Sequence, residues 1–352
     1  MELARRSLEG PALDAPELER VLGPEIDLLP LLGQAWEVRR QMFGNRVLVH
    51  VLNNAQNARC PEDCGYCSQS IVSQAPLKPY AWKPREDLLA EARQAYESGA
   101  YRYCLVASGR GPTERQVDYV CDVVREIKSE VPVQVCVCVG LLDDDKARRL
   151  KRAGVDRLNH NLNTSERHYP QVCSTHTYAD RLGTLRAGRD AGLELCSGLI
   201  AGMGETDADL VEVALELRQL EVPSIPVNFL VPIEGNPLQS DASLSPERAL
   251  RVLCMVRLAN PRAELRVAGG REGHLRSLEP LALYPANSLF VEGYLTTRGS
   301  GARATYAMIR DAGFVVERAD GTLADWKELG LDDAFRVEGS TEILKNSVLG
   351  LS

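Results

Sequence analysis

Three cysteines, Cys60, Cys64 and Cys67, stand close together in a segment that reads Arg-Cys-Pro-Glu-Asp-Cys-Gly-Tyr-Cys-Ser-Gln-Ser from Arg59 to Ser70. The chain has 10 cysteines among 352 residues. In a random chain of this composition, the expected number of Cys-x3-Cys-x2-Cys spacings is about 0.01. Three thiolates on one short loop can hold three irons of a [4Fe–4S] cube and leave the fourth iron open to another ligand. The spacing therefore predicts an iron–sulfur cluster with one open coordination site.

Two other structures would use the same thiols, a zinc ribbon and a disulfide loop. A zinc ribbon needs a second Cys or His pair at short range in the sequence. The next cysteine is Cys104, and the only histidine before the triplet is His50. The spacing thus favours the cluster and leaves zinc as the alternative.

Composition limits the class of protein. With 352 residues, of which 44% are hydrophobic, the chain can form one large α/β domain or two medium ones. The net charge of −8 and the scattered basic residues argue against nucleic-acid or acidic-membrane partners. The sequence shows neither a signal-peptide core nor a run of ~20 apolar residues. We therefore expect a cytoplasmic protein, in which 10 reduced cysteines point to metal or redox chemistry.

Short β-branched runs alternate with amphipathic segments along the chain. A helix is predicted over Pro84–Ser98, and Thr177, Thr206 and Ser245 are predicted N-caps of three further helices. The eight candidate strands are Val47–Leu52, Tyr103–Ala107, Val133–Val139, Arg157–Asn161, Leu193–Ile200, Ile225–Leu230, Leu265–Ala268 and Ser288–Val291.

Eight strand–helix repeats predict an α/β fold, a (β/α)8 TIM-type barrel with N- and C-terminal extensions; an open doubly wound sheet is the alternative. We divide the chain into an N-terminal helical extension (1–40), the barrel (41–318) and a C-terminal tail (319–352). The cysteine triplet follows the first strand. Because barrel active sites form at the carboxyl ends of the strands, this position suits catalysis.

Four more cysteines fall on predicted strands: Cys104, Cys136, Cys138 and Cys196. Side chains alternate between the inside and the outside of a barrel, so thiols from three strands could converge in its interior. Buried cysteine is common, and these positions alone indicate a second metal site only weakly. The remaining cysteines are Cys121 and Cys254, predicted to be core thiols, and Cys173, which has no predicted role.

Two polar or glycine-rich segments follow strands and could contact a ligand. Gly198, Gly202 and Gly204 would let backbone approach a nucleotide, although glycine-rich turns are ordinary after strands. The segment Asn159–Asn163 could donate to and accept from a polar ligand, or simply cap its strand. Within it, His160 is more simply explained as a hydrogen-bonded structural residue.

Several motifs in order, from about residue 40 to about residue 315, resemble the biotin synthase family of the radical S-adenosylmethionine superfamily. Besides Cys60-Pro-Glu-Asp-Cys-Gly-Tyr-Cys-Ser-Gln69, they are Tyr103-Cys104, Cys136-x-Cys138-x-Gly140, Asn159-His-Asn-Leu-Asn-Thr-Ser165, Cys196-Ser-Gly198 and Gly270-Arg271-Glu272. Asn163 stands where the family often has aspartate, Leu158 stands where it often has an aromatic residue, and residues 56–59 differ from common members.

The resemblance implies two iron–sulfur clusters. The triplet would ligate a [4Fe–4S] cluster whose open iron chelates S-adenosylmethionine. A second, [2Fe–2S] cluster would lie deep in the barrel, held by Cys104, Cys136, Cys196 and Arg271. Arginine is a poor metal ligand because its guanidinium is normally charged, so a salt bridge is the alternative for Arg271.

The resemblance also implies residues that contact the small molecules. Asn163, Arg181, Gly198, Ile200 and Gly202 match the S-adenosylmethionine side. Two more residues, Asn161 and Asn228, match positions that bind dethiobiotin. No side chain is expected to act as a general base.

The implied activity is radical insertion of sulfur into dethiobiotin to give biotin, with the second cluster as the sulfur source. The resemblance further implies a flavodoxin- or ferredoxin-type electron donor and a homodimer. A hydrogenase-cofactor maturase or methylornithine synthase type of enzyme would share the first cluster only. The remaining alternative is a non-enzymatic ferredoxin-like or zinc-holding protein, which would never cleave S-adenosylmethionine.

Overall fold

The computed structural model describes residues 2–57, 60–239, 244–291 and 301–331. Its strands are β1 (Arg46–Gln56), β2 (Arg102–Ala107), β3 (Gln134–Cys138), β4 (Arg157–Asn159), β5 (Glu194–Cys196), β6 (Leu199–Ala201), β7 (Ser224–Phe229), β8 (Glu264–Val267), β9 (Ser288–Val291) and β10 (Val315–Glu317). Its α-helices are α1 (Glu2–Glu9), α2 (Ala15–Leu22), α3 (Leu28–Phe43), α4 (Arg85–Glu97), α5 (Glu114–Glu130), α6 (Asp144–Arg152), α7 (Tyr178–Asp190), α8 (Asp207–Gln219), α9 (Pro246–Ala259), α10 (Arg271–Leu275) and α11 (Ala302–Asp311).

The strands close into a parallel barrel, which confirms the predicted fold class. Neighbours follow chain order from β1 to β9, and the circle closes where β9 pairs with β1, with Val49 opposite Leu289. An open sheet would leave the first and last strands unpaired with each other. The doubly wound alternative is therefore excluded.

The fifth predicted strand, Leu193–Ile200, is interrupted. It forms β5 and β6, both of which pair with β7, and the break falls at Ser197 and Gly198. A Cβ on Gly198 would lie 1.8 Å from the carbonyl oxygen of Pro226. Only glycine permits this approach of two backbones, so the break is built into the sequence.

The predicted helix signals agree with the observed helix ends. The first helix lies within the predicted Pro84–Ser98, as α4. Thr177 Oγ1 accepts from the Asp180 N–H at 3.1 Å, and Asp180 returns the bond in a capping box. Thr206 and Ser245 cap α8 and α9 in the same manner through their side-chain oxygens.

The terminal segments extend this barrel. Leu18 and Leu31, on α2 and α3, are buried in the same apolar cluster as Leu250 of α9. At the other end β10 adds to β1 outside the barrel, with Val47 opposite Val316. The predicted tail 319–352 is described as far as residue 331; residues 332–352, like residues 58 and 59 of the divergent segment 56–59, lie outside the described ranges. Over those same ranges, no helix is long and apolar enough to cross a membrane.

Candidate active site

The cysteine triplet lies on a tightly turned loop after β1. The Cys67 N–H donates to the Cys64 carbonyl at 3.1 Å, and the Ser70 N–H donates to the Cys67 carbonyl at 3.0 Å. The Cys60 N–H donates to the Gln69 carbonyl at 2.7 Å and ties the loop ends together. All three thiols line a cavity of about 290 Å³ at the carboxyl ends of the strands. The structure thus brings the triplet together on one wall.

Burial favours the protonated form of two of the triplet thiols. It raises the pKa of Cys60 and of Cys67 above the ordinary thiol value. Each of the 10 cysteines of the chain is a free thiol, so none of the three is used in a disulfide. Three neighbouring thiols on one loop become thiolates when a cation compensates their charge. This donor set fits an iron–sulfur cluster.

The triplet loop is docked on the segment from Val172 to His176. The Gly65 N–H donates to the Val172 carbonyl at 2.9 Å. Asp63 Oδ1 accepts from the Ser174 and Thr175 N–H groups at 2.9 and 3.2 Å. Although burial acts to raise it, the pKa of Asp63 lies well below its usual range because of the hydrogen bonds from Ser174. An ionised Asp63 therefore anchors the loop.

Cys173, for which the sequence indicated no role, touches the triplet. Cys64 Sγ donates to Cys173 Sγ across 3.7 Å. Cys173 Sγ also lies 3.2 Å from Nδ1 of His176. The CxxH spacing of Cys173 and His176 is the sequence signal that could have drawn attention to this pair.

A second group of thiols meets inside the barrel. Cys104 on β2 is in register with Cys136 on β3, and Cys196 lies on β5. The Cys136 thiol hydrogen-bonds with the thiols of both other residues. Cys104 and Cys136 line the cavity, and Cys196 is fully buried behind it. The three cysteines predicted to hold the inner cluster are thus neighbours.

Arg271, the predicted fourth ligand of the inner cluster, is held by two carboxylates. It begins α10, beyond the end of β8, and its guanidinium pairs with Glu272 at 2.8 Å and Glu279 at 2.7 Å. Instead, Arg266 on β8 places Nη1 3.6 Å from Cys196 Sγ and lines the cavity. Side chains alternate between the two faces of a strand, and Arg266 occupies an inward-facing position of β8, whereas Arg271 lies on a helix.

A buried charge network lies around Arg266. Glu264 accepts from Arg157 Nη1 and from Arg266 Nη2, both at 2.6 Å. The Glu264 carboxylate also contacts Arg102 Nη1 at 3.3 Å and His50 Nε2 at 3.0 Å. Burial acts to raise the pKa of Glu264, but Arg266 and Arg157 outweigh it and hold that pKa well below its usual range. Several guanidinium groups around one carboxylate leave positive charge next to the inner thiols, which suits thiolates.

Two predicted cofactor contacts, Asn163 and Arg181, line the cavity next to the triplet. Asn163 has a φ of 71°, in the left-handed region that asparagine tolerates better than most residues. Its Nδ2 donates to the Tyr66 hydroxyl at 2.6 Å. Arg181 Nη1 donates to the Asn161 carbonyl at 2.7 Å, and its Nε donates to the Tyr169 hydroxyl.

The glycine segment shapes backbone at the cavity wall. Ile200 lines the cavity, whereas Gly198 is held against Pro226 as described above. Gly202 has a φ of 97°, and its N–H donates to Glu205 Oε1 at 2.8 Å. The carboxylate thus stabilises the turn that follows β6.

Two predicted substrate contacts, Asn161 and Asn228, line the same cavity. Asn228 is oriented by backbone: its Oδ1 accepts from the Gly269 N–H at 3.0 Å, and its Nδ2 donates to the Leu199 carbonyl at 3.2 Å. Asn161 Oδ1 accepts from Asn159 Nδ2 at 3.2 Å. Both amides keep further lone pairs or N–H groups for a polar ligand.

Two family models match successive parts of the chain. The model of the radical SAM superfamily matches residues 57–217, and that of the biotin and thiamin synthesis associated domain matches residues 226–315. The biotin synthase of Acaryochloris marina is 54% identical over 322 residues, 91% of this chain and 93% of that protein. The chain belongs to the biotin synthase family. The biotin synthase of Magnetococcus marinus is 53% identical over 90% of this chain and 99% of its own length, and that of Leptospira biflexa is 49% identical over 94% of each.

Solved structures with the same fold are more distant. Methylornithine synthase (PylB) has a TM-score of 0.78 at 18% identity, over 90% of this chain and 98% of that one. The FeFe-hydrogenase maturase HydG from Carboxydothermus hydrogenoformans has a TM-score of 0.76 at 19% identity, over 90% of this chain and 78% of that one. These likenesses show the barrel fold only. The sequence relatives separate the chain from both enzyme types and place it among biotin synthases, radical enzymes that insert sulfur.

Proposed function

We propose that the chain converts dethiobiotin to biotin by radical sulfur insertion with S-adenosylmethionine. One observation carries this proposal beyond the family: the triplet thiols and the inner thiols Cys104 and Cys136 line one cavity. A radical made at the first site would therefore form within reach of a sulfur source at the second. A protein that only holds a cluster has no need of that arrangement.

The two thiol sets would hold the two clusters. When bound, a [4Fe–4S] cluster at Cys60, Cys64 and Cys67 supplies electrons for S-adenosylmethionine cleavage to a 5′-deoxyadenosyl radical, and a [2Fe–2S] cluster at the inner thiols supplies sulfur. The convergence of each thiol set and the guanidinium groups next to the inner thiols support these assignments, because clustered donors can share one metal centre and positive charge favours thiolates.

We propose Arg266, in place of Arg271, as the arginine of the inner site. Its contact with Cys196 and its position on the cavity wall support this role. Glu264 holds the guanidinium in one orientation. The charged guanidinium would stabilise the inner thiolates electrostatically.

The polar residues of the cavity wall would position the two small molecules. Asn163, Arg181 and Ile200 lie beside the triplet, where the amino acid and ribose groups of S-adenosylmethionine would bind, and the turn at Gly198 and Gly202 shapes that wall. Two amides, Asn161 and Asn228, would bind the ureido ring of dethiobiotin, which both donates and accepts hydrogen bonds.

The rest of the wall would keep water from the reacting atoms. Apolar side chains at Leu52, Val106, Phe229 and Phe290 line the same cavity. Exclusion of water prevents side reactions of radical species, so these residues would protect the chemistry without taking part in it.

On the family resemblance alone, we further propose that the chain acts in the cytoplasm as a homodimer. The same resemblance supports a flavodoxin- or ferredoxin-type protein as the donor of electrons to the first cluster.

Anaerobic turnover tests the proposed function. The chain is reconstituted with iron and sulfide and incubated with dithionite, S-adenosylmethionine and dethiobiotin, and the products are measured by mass spectrometry. We expect both deoxyadenosine and biotin. Deoxyadenosine without biotin would favour a maturase or methylornithine-synthase type of reaction, and the absence of both products would favour a non-enzymatic metal protein.

A further inference from the structure

Next to the triplet loop lie two metal donors, Cys173 and His176, that the proposed reaction does not use. Cys173 and His176 are buried, with exposed fractions of 5% and 7%, and Cys64 is buried beside them at 7%. The three donor atoms lie within 4.8 Å of one another. Two soft thiols and an imidazole are the ligands that zinc and similar cations prefer.

The distances already approach those of a tetrahedral site. A zinc–sulfur bond of about 2.3 Å at tetrahedral angles places two ligand sulfurs about 3.8 Å apart and a sulfur and an imidazole nitrogen about 3.5 Å apart. The Cys64 and Cys173 sulfurs are 3.7 Å apart. Cys173 Sγ lies 3.2 Å from His176 Nδ1. Small side-chain movements would therefore suffice to bind an ion.

Hydrogen bonds hold these donors together before any ion binds. Asp63, one residue before Cys64, is fastened to Ser174 and Thr175 by the hydrogen bonds described above. Arg181 Nη2 contacts Nε2 of His176 at 2.9 Å, so the neutral ring carries its proton on Nδ1, next to Glu62. An ion at Nδ1 requires the other tautomer: the ring proton moves to Nε2, and Arg181 gives up its contact there.

We propose that the cluster-free chain binds one thiophilic divalent cation, such as Zn²⁺ or Fe²⁺, through Cys64, Cys173 and His176. Water fills the fourth position. Under the proposed function Cys64 also belongs to the [4Fe–4S] ligand set, so the ion and the complete cluster exclude each other. Zinc at this site would thus block loading of the cluster.

Cobalt titration of the cluster-free full-length chain tests the site, because Co²⁺ replaces Zn²⁺ and has visible bands that report tetrahedral geometry. We expect one Co²⁺ per chain, with thiolate-to-cobalt charge transfer. Cys173→Ala should weaken the affinity at least about tenfold, since even partners outside the ligand shell are worth that much. Cys60→Ala and Cys67→Ala, the matched controls, remove a triplet thiol without touching the site and should change the affinity less than about twofold.

Retained cobalt affinity in Cys173→Ala, or equal loss in both controls, would show that the triplet itself holds the ion and would overturn the proposal. Circular dichroism of the metal-free variants checks their folding. X-ray absorption at the zinc edge, measured on the unaltered chain, identifies the atoms bound to the ion without any variant. Two sulfur and two nitrogen or oxygen neighbours are expected, and three sulfurs would contradict the site.

Iron loading tests the exclusion separately. Zinc-loaded chain should take up less iron and sulfide than metal-free chain, whereas in Cys173→Ala added zinc should make no difference. Equal iron uptake by zinc-loaded and metal-free chain would overturn the sharing of Cys64. None of these measurements depends on S-adenosylmethionine or dethiobiotin, so failure of the proposed reaction would leave their outcome unaffected.

Discussion

Nη1 of Arg266 lies 3.6 Å from Sγ of Cys196, deep in the barrel. The same guanidinium donates to Glu264 at 2.6 Å, so the arginine is held between an acidic group and a thiol. Burial and this carboxylate oppose each other in their effect on the pKa of Arg266, and the carboxylate dominates, so that the pKa is raised. A permanently charged group therefore faces the inner thiols.

Replacement of the two candidate arginines should separate their roles. Arg266→Met removes the charge beside Cys196, so we expect an altered visible spectrum of the inner cluster and a severalfold lower biotin yield. Arg271→Met removes a guanidinium that is equally buried but pairs with Glu272 and Glu279, and it should leave the spectrum unchanged. Absorption spectra of the reconstituted variants and biotin assays measure both effects. An altered spectrum in Arg271→Met alone would restore the original expectation.

The parity of β8 could have predicted Arg266 in advance. Glu264 and Arg266 alternate along one face of the strand, just as Arg102 and Cys104 do on β2. The glycine-flanked motif of Arg271 resembles the family, but it lies past the strand. Period-two alternation would have been the better guide, because the side chains that meet inside a barrel must share a face.

Elements with local signals were predictable, and long-range neighbours were not. The caps at Thr177 and Thr206 are encoded within four residues, and the triplet within eight. The contact of Cys64 with Cys173 joins positions 109 residues apart and depends on how the loop docks. The break between β5 and β6 likewise depends on the distant Pro226, against which Gly198 packs.

Glu264→Gln should destabilise the barrel. The substitution removes a carboxylate that Arg102, Arg157 and Arg266 share. Loss of one partner of a buried ion pair typically costs about 3–5 kcal/mol, because the remaining charge stays buried without compensation. Urea unfolding of the cluster-free chain measures the change. Glu194→Gln, at the more exposed end of the same network, is the matched control and should cost less than about 1 kcal/mol.

Acid should destabilise the chain partly through His50. This residue is fully buried. Its burial, and to a lesser degree the positive charge of Arg266, holds its pKa well below the usual value. The unfolded chain binds a proton at His50 below pH about 6.5, whereas the folded chain does not. The free energy of unfolding should therefore fall as the pH drops below that value. His50→Gln should show a smaller decrease between pH 7 and pH 5, and an unchanged slope would contradict this account.

Asn163 should tolerate aspartate but not valine. Aspartate is the family's frequent residue at this position and can still bind ribose hydroxyls, so Asn163→Asp should change the KM for S-adenosylmethionine less than about threefold. Valine at a φ of 71° is strained by about 1–3 kcal/mol and also loses the bond to Tyr66. Deoxyadenosine formation measures both variants. Tyr66→Phe removes only the hydroxyl partner, so it separates the loss of that bond from the strain.

Iron content should report two separate clusters. Complete anaerobic reconstitution should give about six irons per chain, four at the triplet and two at the inner thiols. Cys104→Ala should lower this to about four irons and still release deoxyadenosine, but it should make no biotin. Cys138 also lines the cavity, yet it is not among the thiols that bond to Cys136, so Cys138→Ala should keep about six irons. Four irons in a fully active unaltered chain would refute the inner cluster, because the sulfur would then have to come from elsewhere.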